Sequence, residues 1–114
     1  MKMQIEGQSL RVRIGEDELA RLLAGEAIAS STRFAEAFVM TCTLRLGAGD
    51  EARFSGPPDA WLIEVPGGKV RDHAQRLPTR EGLKFFLAGK QEADALELLF
   101  DVDVRDSARQ RRSS

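Results

Sequence analysis

Five stretches of this chain alternate apolar and polar residues at every second position, and that period admits few folds. In "SLRVRI", Leu10, Val12 and Ile14 share one side and Arg11 and Arg13 the other. "AFVMTCTLRL" sets Phe38, Met40, Cys42, Leu44 and Leu46 against Val39, Thr41, Thr43 and Arg45. Trp61, Ile63 and Val65 align in "AWLIEV", and Leu83, Phe85 and Leu87 in "GLKFFLA". "ALELLFDVDV" places Leu96, Leu98, Phe100, Val102 and Val104 opposite Glu97, Leu99, Asp101 and Asp103. Successive side chains of a strand point to opposite faces, so this alternation predicts strands with one buried face and one wetter face. Weaker strand signals lie at 2–6, 27–34 and 51–55.

Two segments break the period. "GEDELARLLAGE" carries Leu19, Leu22 and Leu23 at helical spacing, with acids leading and Gly25 as a stop. Each of those leucines contributes roughly 1.5–3 kcal/mol when buried. In "PGGKVRDHAQRL", Val70, Ala74 and Leu77 fall on one stripe, and Pro78 blocks continuation. The spacing predicts a helix over about 67–76.

Written as elements, 10–46 reads strand–helix–strand–strand, and 61–104 reads the same again. Aligning Ile14 with Val65 also aligns Leu19 with Val70. The repeat is one of pattern and not of identity, so a duplicated βαββ unit and two ordinary units of like order fit it equally. Halves of ~45 residues rarely fold alone, so both are expected to share one core. The expectation is a single α+β domain over 1–104: a mainly antiparallel, curled or barrel-like sheet of about seven or eight strands, with two short helices. Residues 105–114 form a basic tail expected to fray in solvent.

The net charge of −1 gives no global field toward polyanions or anionic membranes. The tail carries Arg105, Arg109, Arg111 and Arg112, but the chain has no tyrosine and offers no stacking platform, so no specific nucleic acid is expected. No window approaches the ~18 apolar residues of a membrane span, and "MKMQIEGQSLRVRIGEDE" holds no signal-peptide core. The single cysteine, Cys42, excludes an intramolecular disulfide and suits a reducing compartment, so a cytoplasmic protein is expected.

The chemistry-bearing residues are few. His73 is the only histidine, which excludes a multi-histidine metal site, and it is expected on the surface of the second helix. Cys42 sits mid-strand on the apolar face, where burial silences a thiol. Asp101 and Asp103 stand about 7 Å apart on one strand face, and cross-strand pairing with Arg11, Arg13 or Arg45 is their simplest use. "VPGGKVRD" brings glycines and Lys69 to a helix start without the spacing of a phosphate loop. No catalytic residue, metal ligand or cofactor site is named by these patterns, so no enzyme is expected.

Two binding readings remain. Val39, Leu62, Phe86 and Leu99 occupy the nominally outer side of strong strands; either the sheet's curl or a loop covers them, or they form a homodimer interface. The leading expectation is a non-catalytic binding or interaction domain that homodimerises or meets an unknown protein partner. The alternative is a small-ligand or anion-binding domain that uses Arg11, Arg13, Arg45 and Lys69.

The opening "MKMQIEGQSLRVRIGEDELARLLAGEAI", the later "LIEVP" and the late "ALELLFDVDV" resemble a family of small uncharacterised bacterial proteins, a domain of unknown function. Its mark is an N-terminal I-x-G-x-S-x-R-x-R stretch, matched here by Ile5, Gly7, Ser9, Arg11 and Arg13. The resemblance implies a cytoplasmic bacterial protein and carries over no activity and no site. Gly7 and Ser9 then read as turn residues between strands 2–6 and 10–14, with Arg11 and Arg13 facing outward.

Overall fold

A computed structural model describes residues 1–104 of the chain; the basic tail lies outside the described residues. The first half runs β1 (Lys2–Glu6), β2 (Ser9–Gly15), α1 (Glu16–Leu23), β3 (Ile28–Phe34) and β4 (Phe38–Gly47). The second repeats it as β5 (Arg53–Ser55), β6 (Ala60–Pro66), α2 (Gly67–Gln75), β7 (Leu83–Leu87) and β8 (Leu96–Asp103). Local chemistry explains the joints. Gly7, at φ +56°, turns the first hairpin in a conformation that a Cβ disfavours. The Glu18 carboxylate accepts the Gly15 backbone N–H at 3.0 Å and secures the start of α1.

The halves exchange hairpins. One sheet has the order β1-β2-β8-β7 and the other β3-β4-β6-β5. Outer pairs are antiparallel, while the central pairs β2–β8 and β4–β6 are parallel. The eight strands and two helices match expectation; the single curled or barrel-like sheet does not, because the strands divide into two open mixed sheets. Alternation along a strand records which face is buried and is blind to the direction of the neighbouring strand.

The register makes the two halves superposable. Gly15 and Pro66 each end the strand that enters a helix, so Arg13 and Glu64 occupy equivalent places, as do Leu22 and His73. Arg13 pairs in register with Asp101, and Glu64 with Arg45. Each half thus has the order ββαββ, one strand longer than the sequence pattern indicated, an arrangement that fits a duplicated unit.

One core serves both sheets. Val12, Ile14, Leu98 and Phe100 from the first pack with Cys42, Leu44, Ile63 and Val65 from the second, and Leu22 and Val70 join from the helices. His73 departs from expectation: it is buried, at 3% exposure. The inward face of α2 is Gly67, Val70 and His73, whereas Ala74 and Leu77 on the anticipated stripe are only half-buried. Among the described residues no helix is long and apolar enough to cross a membrane.

Candidate functional site

The outer face of the first sheet gathers most of the chain's polar chemistry. β1 and β2 pair with Lys2 opposite Arg13 and Gln4 opposite Arg11, so period-2 alternation sets all four side chains on one face. On the far side of β2, β8 places Asp101 in register with Arg13. A single carboxylate then serves two guanidiniums: Arg13 Nε donates to Asp101 Oδ1 at 2.9 Å, and Arg11 Nη2 approaches Asp101 Oδ2 at 3.1 Å. The Asp101 side chain is 14% exposed and those of the arginines 39% and 38%, so solvent screens the pairs from one side. Hydrogen bonding and the charge of Asp101 push the Arg13 pKa up, which holds the guanidinium charged at any working pH.

Two clefts open on either side of this arginine pair. The first, about 340 Å³, is lined by Lys2, Met3, Gln4, Arg11 and Arg13, and no carboxylate lines it. The second, about 330 Å³, is lined by the same arginines with Asp101, Asp103, His73 and the segment Thr79, Arg80 and Glu81. In the first cleft the charge is one-sided; in the second it balances. Lys2 makes no ion pair among the described residues, and Arg11 Nε is buried without a hydrogen-bond partner among them. A buried guanidinium N–H without an acceptor is an unfavourable arrangement.

The second sheet offers an internal comparison. By register, its counterparts of Lys2, Gln4, Arg11 and Arg13 are Arg53, Ser55, Leu62 and Glu64. Arg45 there binds Glu64 at 3.1 Å, one cation to one anion across the central pair. The two matching halves thus present the arginine pair on one face alone, with Leu62 standing where Arg11 stands.

The predicted anion residues are therefore divided. Arg11 and Arg13 come together; Arg45 lies on the other sheet and is paired. Lys69 sits with its ammonium 5.7 Å from the centre of the Phe85 ring, beside a separate cleft of about 700 Å³ between the β5 and β7 edges. The predicted apolar interface divides likewise. Val39 and Leu62 lie on the second sheet, Phe86 and Leu99 on the first, so the four make no single patch. Phe86 is the most exposed at 75%, while Leu62 and Leu99 are half-buried. Lys2 and Gln4 were missed. The turn at Gly7 was the available signal, because a tight hairpin there sets Lys2 opposite Arg13.

The nucleophile and base candidates are withdrawn from solvent. Cys42 is fully buried, and desolvation pushes its thiol pKa up. Burial lowers the His73 pKa, with Arg76 acting in the same direction and Asp101 and Asp72 opposing. No protein-family model and no curated protein matches the sequence.

Proposed function

We propose that this protein is a non-catalytic binding module whose first sheet recognises a small anion, or an anionic group on a larger ligand, through Lys2, Gln4, Arg11 and Arg13. The observation that carries the reading is the cleft of about 340 Å³ whose charged lining is wholly cationic. Asp101 holds both guanidiniums side by side, with their remaining N–H groups on the cationic face. Buried Cys42 and the depressed His73 pKa favour recognition over catalysis. The lone buried cysteine also favours a cytoplasmic setting. On the I-x-G-x-S-x-R-x-R stretch we further propose kinship with small uncharacterised bacterial proteins. Its glycine makes the hairpin turn here, and its two arginines share the cationic face.

The test is a calorimetric titration with inorganic phosphate and pyrophosphate at constant ionic strength, with chloride as control. The wild-type protein is expected to bind at least one of them, and Arg11→Ala/Arg13→Ala to weaken that binding by about tenfold or more, about 1.4 kcal/mol. Absence of binding at about 10 mM of either anion, a standard-state free energy weaker than about −3 kcal/mol, overturns the proposal.

A further inference from the structure

Among the described residues four sheet edges are open, at β1 and β7 of one sheet and β3 and β5 of the other. An open edge presents unpaired backbone N–H and C=O groups that another strand can complete. We propose that β1 pairs antiparallel with β1 of a second copy of this chain, joining two four-stranded sheets into one of eight.

The register follows from the strand's own sequence. Lys2–Glu6 reads Lys, Met, Gln, Ile, Glu. A two-fold axis through Gln4 sets Lys2 against Glu6 of the second copy, Met3 against its Ile5, and Gln4 against its Gln4. Both charged residues find the opposite sign, and both apolar residues find an apolar one, the combination that stabilises cross-strand pairs. Neither Lys2 nor Glu6 has an ion-pair partner among the described residues. Ile5 is 65% exposed although its position falls on the core-facing side of the sheet. Charge complementarity and the uncovered Ile5 are thus answered by the same partner.

The other edges do not offer this match. β5 is three residues long. Self-pairing of β7 about Phe85 sets Lys84 against Phe86, and self-pairing of β3 about Ser31 sets Arg33 against Ala29. Neither opposes a cation with an anion. The pairing shares Lys2 and Gln4 with the anion reading and leaves the cleft's arginine pair, Arg11 and Arg13, on the sheet face, while Glu6 lies outside the cleft lining. Two five-residue strands bury less than the standard interface of roughly 1,600 Å², so the dimer dissociates on dilution.

Sedimentation velocity of the full chain between about 10 μM and 1 mM reads the association directly. Wild type is expected to shift from monomer to dimer across that range. Lys2→Glu and Glu6→Lys, each at an exposed position, are each expected to weaken dimerisation at least about tenfold. An equimolar mixture of the two is expected to restore it, since every cross-strand contact is again of opposite sign. The double variant Lys2→Glu/Glu6→Lys is expected to dimerise like wild type and reads the same contact should a single variant fold poorly. A wild type monomeric at every concentration, single variants that dimerise undiminished, or a charge-swapped pair that stays monomeric overturns the proposal. Phosphate binding that persists in a monomeric Glu6→Lys, or dimerisation that persists where no anion binds the wild type, tells the failure of one proposal from the failure of the other.

Discussion

Replacing His73 by leucine tests whether a buried imidazole sets the acid limit of this fold. His73 occupies the place that Leu22 holds in the first half, and both are in the core. Burial lowers its folded-state pKa below 6.5, helped by Arg76 and opposed by Asp101 and Asp72. As pH falls through 6.5 the unfolded chain takes up a proton that the folded chain declines. The unfolded state then binds more protons, and stability drops as pH falls. The contribution is therefore fully present above pH 6.5 and is lost between 6.5 and the lowered folded value. For one proton the limiting slope is about 1.4 kcal/mol per pH unit, so at pH 5.5 the loss is at most about 1.4 kcal/mol. Urea unfolding at pH 7.5, 6.5 and 5.5, compared between wild type and His73→Leu, isolates this slope from the carboxylates common to both. The wild type should lose more stability than the variant across that interval. Parallel pH profiles, or a folded-state His73 titration at or above 6.5 by NMR, would refute the reasoning.

Three other substitutions test the ion pairs and the turns. Asp101→Asn removes the carboxylate shared by Arg11 and Arg13, so urea unfolding should show a loss of about 1–2 kcal/mol, tempered by the half-exposed arginines. Phosphate titration of the same variant should show tighter binding, since the cleft loses its nearest negative charge; an unchanged affinity would separate Asp101 from the site. Gly56→Ala forces φ +95° on an alanine and drives its Cβ into the Ala60 carbonyl oxygen, so a loss of about 2 kcal/mol or more is expected. Gly7→Ala has the positive φ but open space around it, and thermal unfolding should show it as the milder change, about 1 kcal/mol.

Much of the fold was legible because local periodicity is a property of the chain alone. Leu10, Val12 and Ile14 alternate with arginines whether or not a partner strand is known, and the structure buries all three. The helix predicted over about 67–76 is Gly67–Gln75, and the weak strand at 2–6 is β1. The burial of Cys42 followed from its neighbours Met40 and Leu44 on one face. His73 was misplaced because α2 turns the stripe Gly67, Val70 and His73 inward, a choice set by the sheets it meets. The site was half legible: Arg11 and Arg13 could be named, but Arg45, grouped by its outer strand face, and Lys69, by its glycine-bearing helix start, lie elsewhere, because neither signal says which sheet a residue joins.

The sequence by itself determined the elements, their buried faces and the two-part pattern, since each depends on residues a few positions apart. Only the tertiary structure decided which strands are neighbours. β2 joins β8 across most of the chain's length and β4 joins β6 past the intervening β5, and nothing in a strand's alternation specifies which partner it takes. That pairing splits Val39 and Leu62 from Phe86 and Leu99, and it brings Asp101 to Arg11 and Arg13. The cationic cleft itself is lined by the β1–β2 hairpin alone, and the exchange of hairpins adds the Asp101 carboxylate that holds its two arginines together.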